Sequence, residues 1–321
     1  MPLPQIRSFA FTCADAEGLA GFYERLGFRR GETLSLAGRY ADLVGLPGSQ
    51  LKVVRLHAGE ETLELLQVLR LGPGLRLGRP VPAGTSSNDR SFQHLCLVTA
   101  NLDAAAAPVL RELVAGRLRP ISSAPQTLPL DNPGAAGIRA FKFHDPEGHA
   151  LELLQFPPEK GEARWHNPAA PGPLLGIDHS AIGVADSERS GRFYAEVLGL
   201  GRSGDGLNQG LEQDHLDGLA GTRVRITSHR CPEGPGVECL EYQEPRGGED
   251  LPADTTAADS VHWQIRLAVA DLDRLRAGLA EREPLPREPV VLEPQTAALL
   301  GFRRALPLRD PDGHALQLVE S

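Results

Sequence analysis

Apolar residues recur along the chain with two rhythms. At Leu19, Phe22, Tyr23 and Leu26, and again at Leu102, Ala106, Val109 and Leu113, they fall three or four apart, which lines one face of an α-helix. Between these stretches come short aliphatic runs: LKVVRL from Leu51, ETLELLQV from Glu61, RVRIT from Arg223 and GVECLEY from Gly236. Turns containing Gly or Pro bound each run, as expected of strands. The DPEG and DPDG tetrads at Asp145 and Asp310 read as turns, with Asp at the first position and Pro fixing the next φ. The pattern predicts an α+β chain of βαβββ units, each with a short helix to cover one face of its sheet.

The pattern repeats. SFAFTCADAEGLAGFYERLGF from Ser8 and HSAIGVADSERSGRFYAEVLGL from His179 match at an offset of 171. Both place an Asp seven residues on (Asp15, Asp186) and a Phe-Tyr pair at fourteen. HLCLVTANLD from His94 pairs with QIRLAVADLD from Gln264, and DPEGHALELL from Asp145 with DPDGHALQLV from Asp310. Three blocks in one order make a tandem duplication, and a weaker half-repeat inside each copy makes four modules. The Pro-, Gly- and Ala-rich stretch 157–173 reads as a linker, so the sequence divides into 1–156 (modules one and two), the linker, and 174–321 (modules three and four).

Length and composition fit this division. At 321 residues the chain is too long for one ordinary core and suits two. With 41% hydrophobic and 23% charged residues it has the makings of packed cores and lacks the signature of disorder. A net charge of -9 argues against nucleic acid as a partner. No apolar run is long enough to span a bilayer and the first residues do not resemble a secretion signal, so a cytoplasmic protein, monomer or homodimer, is expected. Cys13, Cys96, Cys231 and Cys239 have no CxxC spacing and read as unpaired thiols.

The FYERLGF and FYAEVLGL stretches after an opening strand, with closing DPEGHALE and DPDGHALQ strands, resemble the vicinal-oxygen-chelate superfamily. That superfamily includes glyoxalase I, extradiol dioxygenases and the bleomycin-resistance proteins. The resemblance implies two open, barrel-like domains of paired βαβββ modules, with metal ligands on the first and last strands of each module. The matching positions are Ser8 and Glu64, His94 and Glu152, His179 and Glu238, and Gln264 and Gln317, with Glu241 close enough to Glu238 to leave the register there open.

How the modules pair decides what these positions can do. Sequential pairing separates His94 from His179 and leaves a three-ligand set of Glu64, His94 and Glu152. Crosswise pairing, module two with three and one with four, gathers His94, Glu152, His179 and Glu238 in one cup. It leaves Ser8, Glu64, Gln264 and Gln317 in the other. The first cup suits a divalent ion, Fe, Ni, Co, Mn or Zn, with positions open to substrate, and the second suits none. Alternation along the strand puts Ala150, Glu152 and Leu154 on one face, and a carboxylate among apolar neighbours is costly unless paired.

The crosswise reading implies a glyoxalase I-like lyase or isomerase acting on a small molecule with neighbouring oxygens through a metal-stabilised enolate, with Glu152 or Glu238 as the base. An Fe(II) extradiol dioxygenase using His94, His179 and Glu152 is the alternative. Against it, Phe141, Lys142 and Phe143 stand where that group carries a Tyr, and no His lies upstream. A non-catalytic binding or drug-resistance protein is the third reading. Gln93, before the first ligand, also departs from the glyoxalase I pattern. Arg76 and Arg79, in the 70–90 loop, are candidates for an anionic substrate against a solvated loop. Of the other histidines, His149 and His314 read as small polar turn residues, and His57, His144, His166, His215 and His229 as surface or loop residues. His262 shares a face with Gln264 and Cys96 with His94, so both could enter the cups.

Overall fold

The structure, a computed structural model, describes residues 4–91, 93–132, 134–167, 172–279 and 288–320. Module one comprises β1 (Gln5–Cys13), α1 (Ala16–Leu26), β2 (Arg29–Leu36), α2 (Arg39–Leu43), β3 (Gln50–Ala58) and β4 (Glu61–Arg70). Module two comprises β5 (Gln93–Val98), α3 (Leu102–Val114), the short β6 (Arg119–Pro120) and β7 (Gln126–Thr127), β8 (Arg139–His144) and β9 (Ala150–Gln155). Module three comprises β10 (Gly176–Gly183), α4 (Ser187–Arg192), β11 (Gly201–Gln209), α5 (Leu211–Asp217), β12 (Arg223–Arg230) and β13 (Gly236–Glu244). Module four comprises β14 (Trp263–Ala268), α6 (Leu272–Leu279), β15 (Val290–Val291), α7 (Pro294–Leu300), β16 (Arg304–Arg309) and β17 (Ala315–Glu320). The predicted βαβββ units and helix faces are all present.

Each principal helix starts where the repeated polar residue puts it. Asp15, Asn101 and Asp186 cap α1, α3 and α4 by accepting hydrogen bonds from the first-turn amides, and Asp271 does the same before α6. α1 stops at Gly27, whose φ of 119° lies in the left-handed region that favours glycine.

Strand pairing is crosswise. One sheet runs β15-β16-β17-β14-β1-β4-β3-β2 and joins modules four and one; the other runs β11-β12-β13-β10-β5-β9-β8-β6 and joins modules three and two. The sequence division at 157–173 therefore follows the duplication, while each sheet takes one module from either side of it. Both central junctions are antiparallel, β1 with β14 and β10 with β5, and both carry a bulge on the module-opening strand, between Ile6 and Ser8 and between Ile177 and His179.

Other contacts tie sequential modules together. Tyr23 Oη donates to Asp145 Oδ2 at 3.0 Å, and Tyr194 Oη to Asp310 Oδ2 at 3.0 Å, so the Tyr of the Phe-Tyr pair meets the Asp of the DPxG turn in the next module. The turn histidines are not small polar fillers, because both are buried. His149 donates through Nδ1 to Asp145 and through Nε2 to the Thr12 carbonyl, and His314 Nε2 bonds the Gly183 carbonyl. One hydrophobic cluster runs through all four modules, with Phe9 and Phe11, Leu95 and Leu97, Ile177 and Ile182, and Ile265 and Leu267 as its strand members. The described part of the linker packs at Trp165, which is buried, with the Arg164 guanidinium 3.9 Å over its ring. Among the described residues no helix is long and apolar enough to cross a membrane, and all four cysteines are buried and unpaired with one another.

Candidate metal centre

Register fixes which side chains meet. Across the β10–β5 junction Ala181 faces His94 and His179 faces Cys96, and along β5–β9 Cys96 lies beside Glu152. His94, Glu152 and His179 therefore converge, each less than a tenth exposed, with one candidate ligand atom from each within 4.8 Å of the others. His94 Nε2 lies 3.4 Å from Glu152 Oε2, and His179 Nε2 lies 3.9 Å from the same oxygen and 3.3 Å from Glu238 Oε2. Glu238 stands at the rim, 21% exposed, and accepts from Ser228 Oγ at 2.8 Å. Glu241 faces elsewhere: it accepts from the amide and hydroxyl of Ser187 at the start of α4, which settles the register in favour of Glu238.

The protonation pattern suits a cation. Burial and the nearby Lys142 ammonium lower His94, which favours the neutral ring that a metal ligand requires. Burial alone would lower His179 too, but Glu238, Asp178 and Glu152 outweigh it and raise its pKa, marking a point where positive charge is favoured. Burial alone would raise Glu152; His94, Lys142 and His179 outweigh it and hold it far below the usual carboxylate range. His179 Nδ1 donates to Asp178 Oδ2 at 2.8 Å, and Arg230 holds that carboxylate in turn. The second nitrogen, Nε2, is thereby left as the lone-pair atom, buried and without a hydrogen-bond partner among the described residues. Lys142 Nζ donates to Asp217 Oδ1 at 2.7 Å.

The other cup is built differently. Ser8, Glu64, Gln264 and Gln317 are all buried there, as their register predicted. Arg266, the counterpart of Cys96 in the β1–β14 junction, fills the centre. Its Nη1 donates to Glu64 Oε1 at 2.7 Å and to Ser8 Oγ at 3.2 Å, and its Nε donates to Gln317 Oε1 at 3.0 Å. Arg55 Nε adds a bond to Glu64 at 3.1 Å. Burial alone would raise Glu64, but the two guanidiniums hold it below its ordinary value. A fixed cation sits where an ion would otherwise be required.

Several residues lie elsewhere than their spacing suggested. Arg76 and Arg79 are not poised for an external anion, because both pair with Asp254 and Asp259. His144 and His229 are buried rather than at the surface, whereas His166 and His215 are exposed and His57 is half-buried. His262 and Gln264 line the mouth of the second cup, under a concavity of about 1010 Å³ that Leu43, Arg309 and Leu316 also border. Cys96 is wholly buried beside Glu152 as lumen packing. Asp178, Arg230, Asp217 and Arg266 escaped the sequence reading. Two of them had a signal: Asp178 immediately precedes His179, and Arg266 shares a strand face with Gln264.

Residues 176–318 match the family described as the Glyoxalase/Bleomycin resistance protein/Dioxygenase superfamily. Glyoxalase I from Zea mays is similar in fold over 99% of this chain and 92% of its own, with a TM-score of 0.59 and 15% identity. A Bacillus subtilis protein described as a candidate dioxygenase is similar over 98% of this chain and 84% of its own, with a TM-score of 0.54 and 14% identity. No curated protein sequence matches the chain. The family match covers the second half of the chain, and the fold across both halves, with its duplicated modules, is similar to that of the two-domain glyoxalase I structures.

Proposed function

We propose that this is a divalent-metal enzyme of the glyoxalase I-like lyase or isomerase kind, acting on a small molecule with neighbouring oxygens. The convergence of His94, Glu152 and His179, with Asp178 fixing the tautomer of His179, carries the reading. His94, His179 and Glu152 would hold the ion, with Glu238 the fourth ligand when no substrate is present. An ion bound there supplies Lewis acidity toward two adjacent oxygens. Glu152, deprotonated far into acid and wedged between two imidazoles, is committed to holding charge. Glu238, at the rim, accepting from the Ser228 hydroxyl and 3.3 Å from His179 Nε2, is the carboxylate placed to take a proton from a substrate carbon beside a carbonyl and to return it.

A second reading has its own support. Two histidines and one carboxylate close together without Glu238 also match the ligand type of an Fe(II) ring-cleaving dioxygenase. Elemental analysis separates the possibilities first. Wild type is expected to hold about one ion per chain and to lose it in both His94→Ala and His179→Ala. A wild type that stays metal-free after reconstitution overturns the enzyme reading and leaves a binding role. With metal present, isomerisation of an α-oxo thiohemiacetal supports the lyase reading, and Fe(II)-dependent oxygen uptake with a catechol supports the dioxygenase.

A further inference from the structure

Each closing strand carries its ligand-position residue opposite a partner on the neighbouring strand, and four such pairs can be compared. Ser228 faces Glu238 and hydrogen-bonds it; Arg55 faces Glu64 and hydrogen-bonds it; Pro307 faces Gln317. Lys142 faces Glu152 across β8–β9, so both side chains project into the metal cup. Lys142 does not bond the carboxylate opposite. Its Nζ reaches Asp217 at the end of α5 instead.

This places a cation in the cup that the metal ligands do not consume. The Lys142 side chain is 3% exposed, and Asp217 takes one of its three ammonium protons. The other Asp217 oxygen is filled by Gln213 Nε2 at 2.8 Å and Tyr242 Oη at 3.0 Å. Asp217 is thus held from its far side, while the Lys142 ammonium makes one side-chain hydrogen bond among the described residues. The Asp217 carboxylate, buried with Lys142 at 2.7 Å, supplies the counter-charge that keeps it an ammonium. A buried ammonium with unspent donors beside a metal position is suited to an ionised oxygen of a bound molecule.

We propose that Lys142 is a specificity-determining residue, accepting a substrate carboxylate next to the oxygens that the metal chelates, so that the substrate class is a small α-oxo or α-hydroxy acid. This rests on the metal-centre reading above. The test uses the cobalt(II)-loaded protein as wild type, K142M and D217N, with visible absorption of the cobalt followed during titration. Oxalate serves as the anionic probe and imidazole as a neutral one. We expect all three proteins to bind about one cobalt. K142M should weaken oxalate roughly tenfold or more, the lower range for a charge-assisted hydrogen bond, and leave imidazole unchanged. D217N, which keeps an acceptor but frees the ammonium of its counter-charge, should bind oxalate more tightly. Should K142M fail to fold, D217N alone decides. Wild-type-like oxalate binding in the variants overturns the role of Lys142 while leaving the metal centre standing. Failure of the wild type to take up cobalt, seen before any oxalate is added, overturns both.

Discussion

Replacing Glu64 by Leu tests whether the second cup is held by an internal cation. Glu64 and Arg266 are 1% and 3% exposed and meet at 2.7 Å, so neither charge has solvent to fall back on. Glu64→Leu leaves the guanidinium with the neutral partners Ser8, Gln317 and Tyr40, and breaking one side of such a pair costs about 3–5 kcal/mol. In a chain of this size that lowers Tm by roughly 4–8 °C. The double variant Glu64→Leu/Arg266→Met removes both charges and should recover most of the loss, giving a coupling on the order of 3 kcal/mol. Urea unfolding of the four proteins measures it. The pH dependence has a definite sign. Glu64 is held below its ordinary value, so its stabilisation is complete above the unfolded pKa of about 4.3 and is lost as pH falls through the lower folded value. The gap between wild type and Glu64→Leu should therefore stay constant from neutral pH down to about 5 and narrow only in stronger acid. Metal content should not change in either variant. A loss below about 1 kcal/mol for Glu64→Leu, or a loss of metal, would refute the reasoning.

Two further outcomes follow from the same geometry. Asp178→Asn keeps the shape but weakens the anchor of His179 Nδ1, and should lower metal affinity roughly 10–100-fold against a competing chelator while leaving Tm of the metal-free protein within a few degrees. His144 and His262 are both depressed to about 4, by burial first and then by Arg119 and Arg309 respectively. Their contribution is present above the unfolded pKa of about 6.5 and lost as pH falls through 4, so urea midpoints should drop across this window and drop less in His262→Asn.

The fold was legible because its signals are local. Helix spacing, the Asx residue before the first helix of each module and the DPxG turns each act within a few residues, and duplication printed them twice. The eight ligand-register positions came from the resemblance to the superfamily, with alternation along the strand as support for the inward face of Glu152. The pairing of modules could not be read that way. Sequential and crosswise arrangements bury the same strand faces, and the choice rests on edges that meet only in three dimensions, β1 on β14 and β5 on β10. Arg266 was missed for a related reason: a search for metal ligands passes over a cation that substitutes for the metal. Asp217 and Arg230 reach their partners from 75 and 52 residues away, so no spacing rule brings them to Lys142 and Asp178. His144 and His229 looked like surface residues because a lone polar residue gives no sign of which strand face it occupies.

Crosswise pairing also sets an order of birth. Modules two and three are consecutive, so their sheet is complete once β13 has been made, while β1 must wait for β14, 250 residues later, before its open edge is covered. Such long-range closure is slow to form and leaves module one exposed in the interval. The described ends of the chain lie close, since Gln5 and Val319 both pair with Ala268 and stand two strand spacings apart, about 10 Å. A short bridge there, with the chain reopened in the loop before β5, would make modules two and three, then four and one, each continuous in sequence. Begun from that point, the same molecule becomes two ordinary domains on a string.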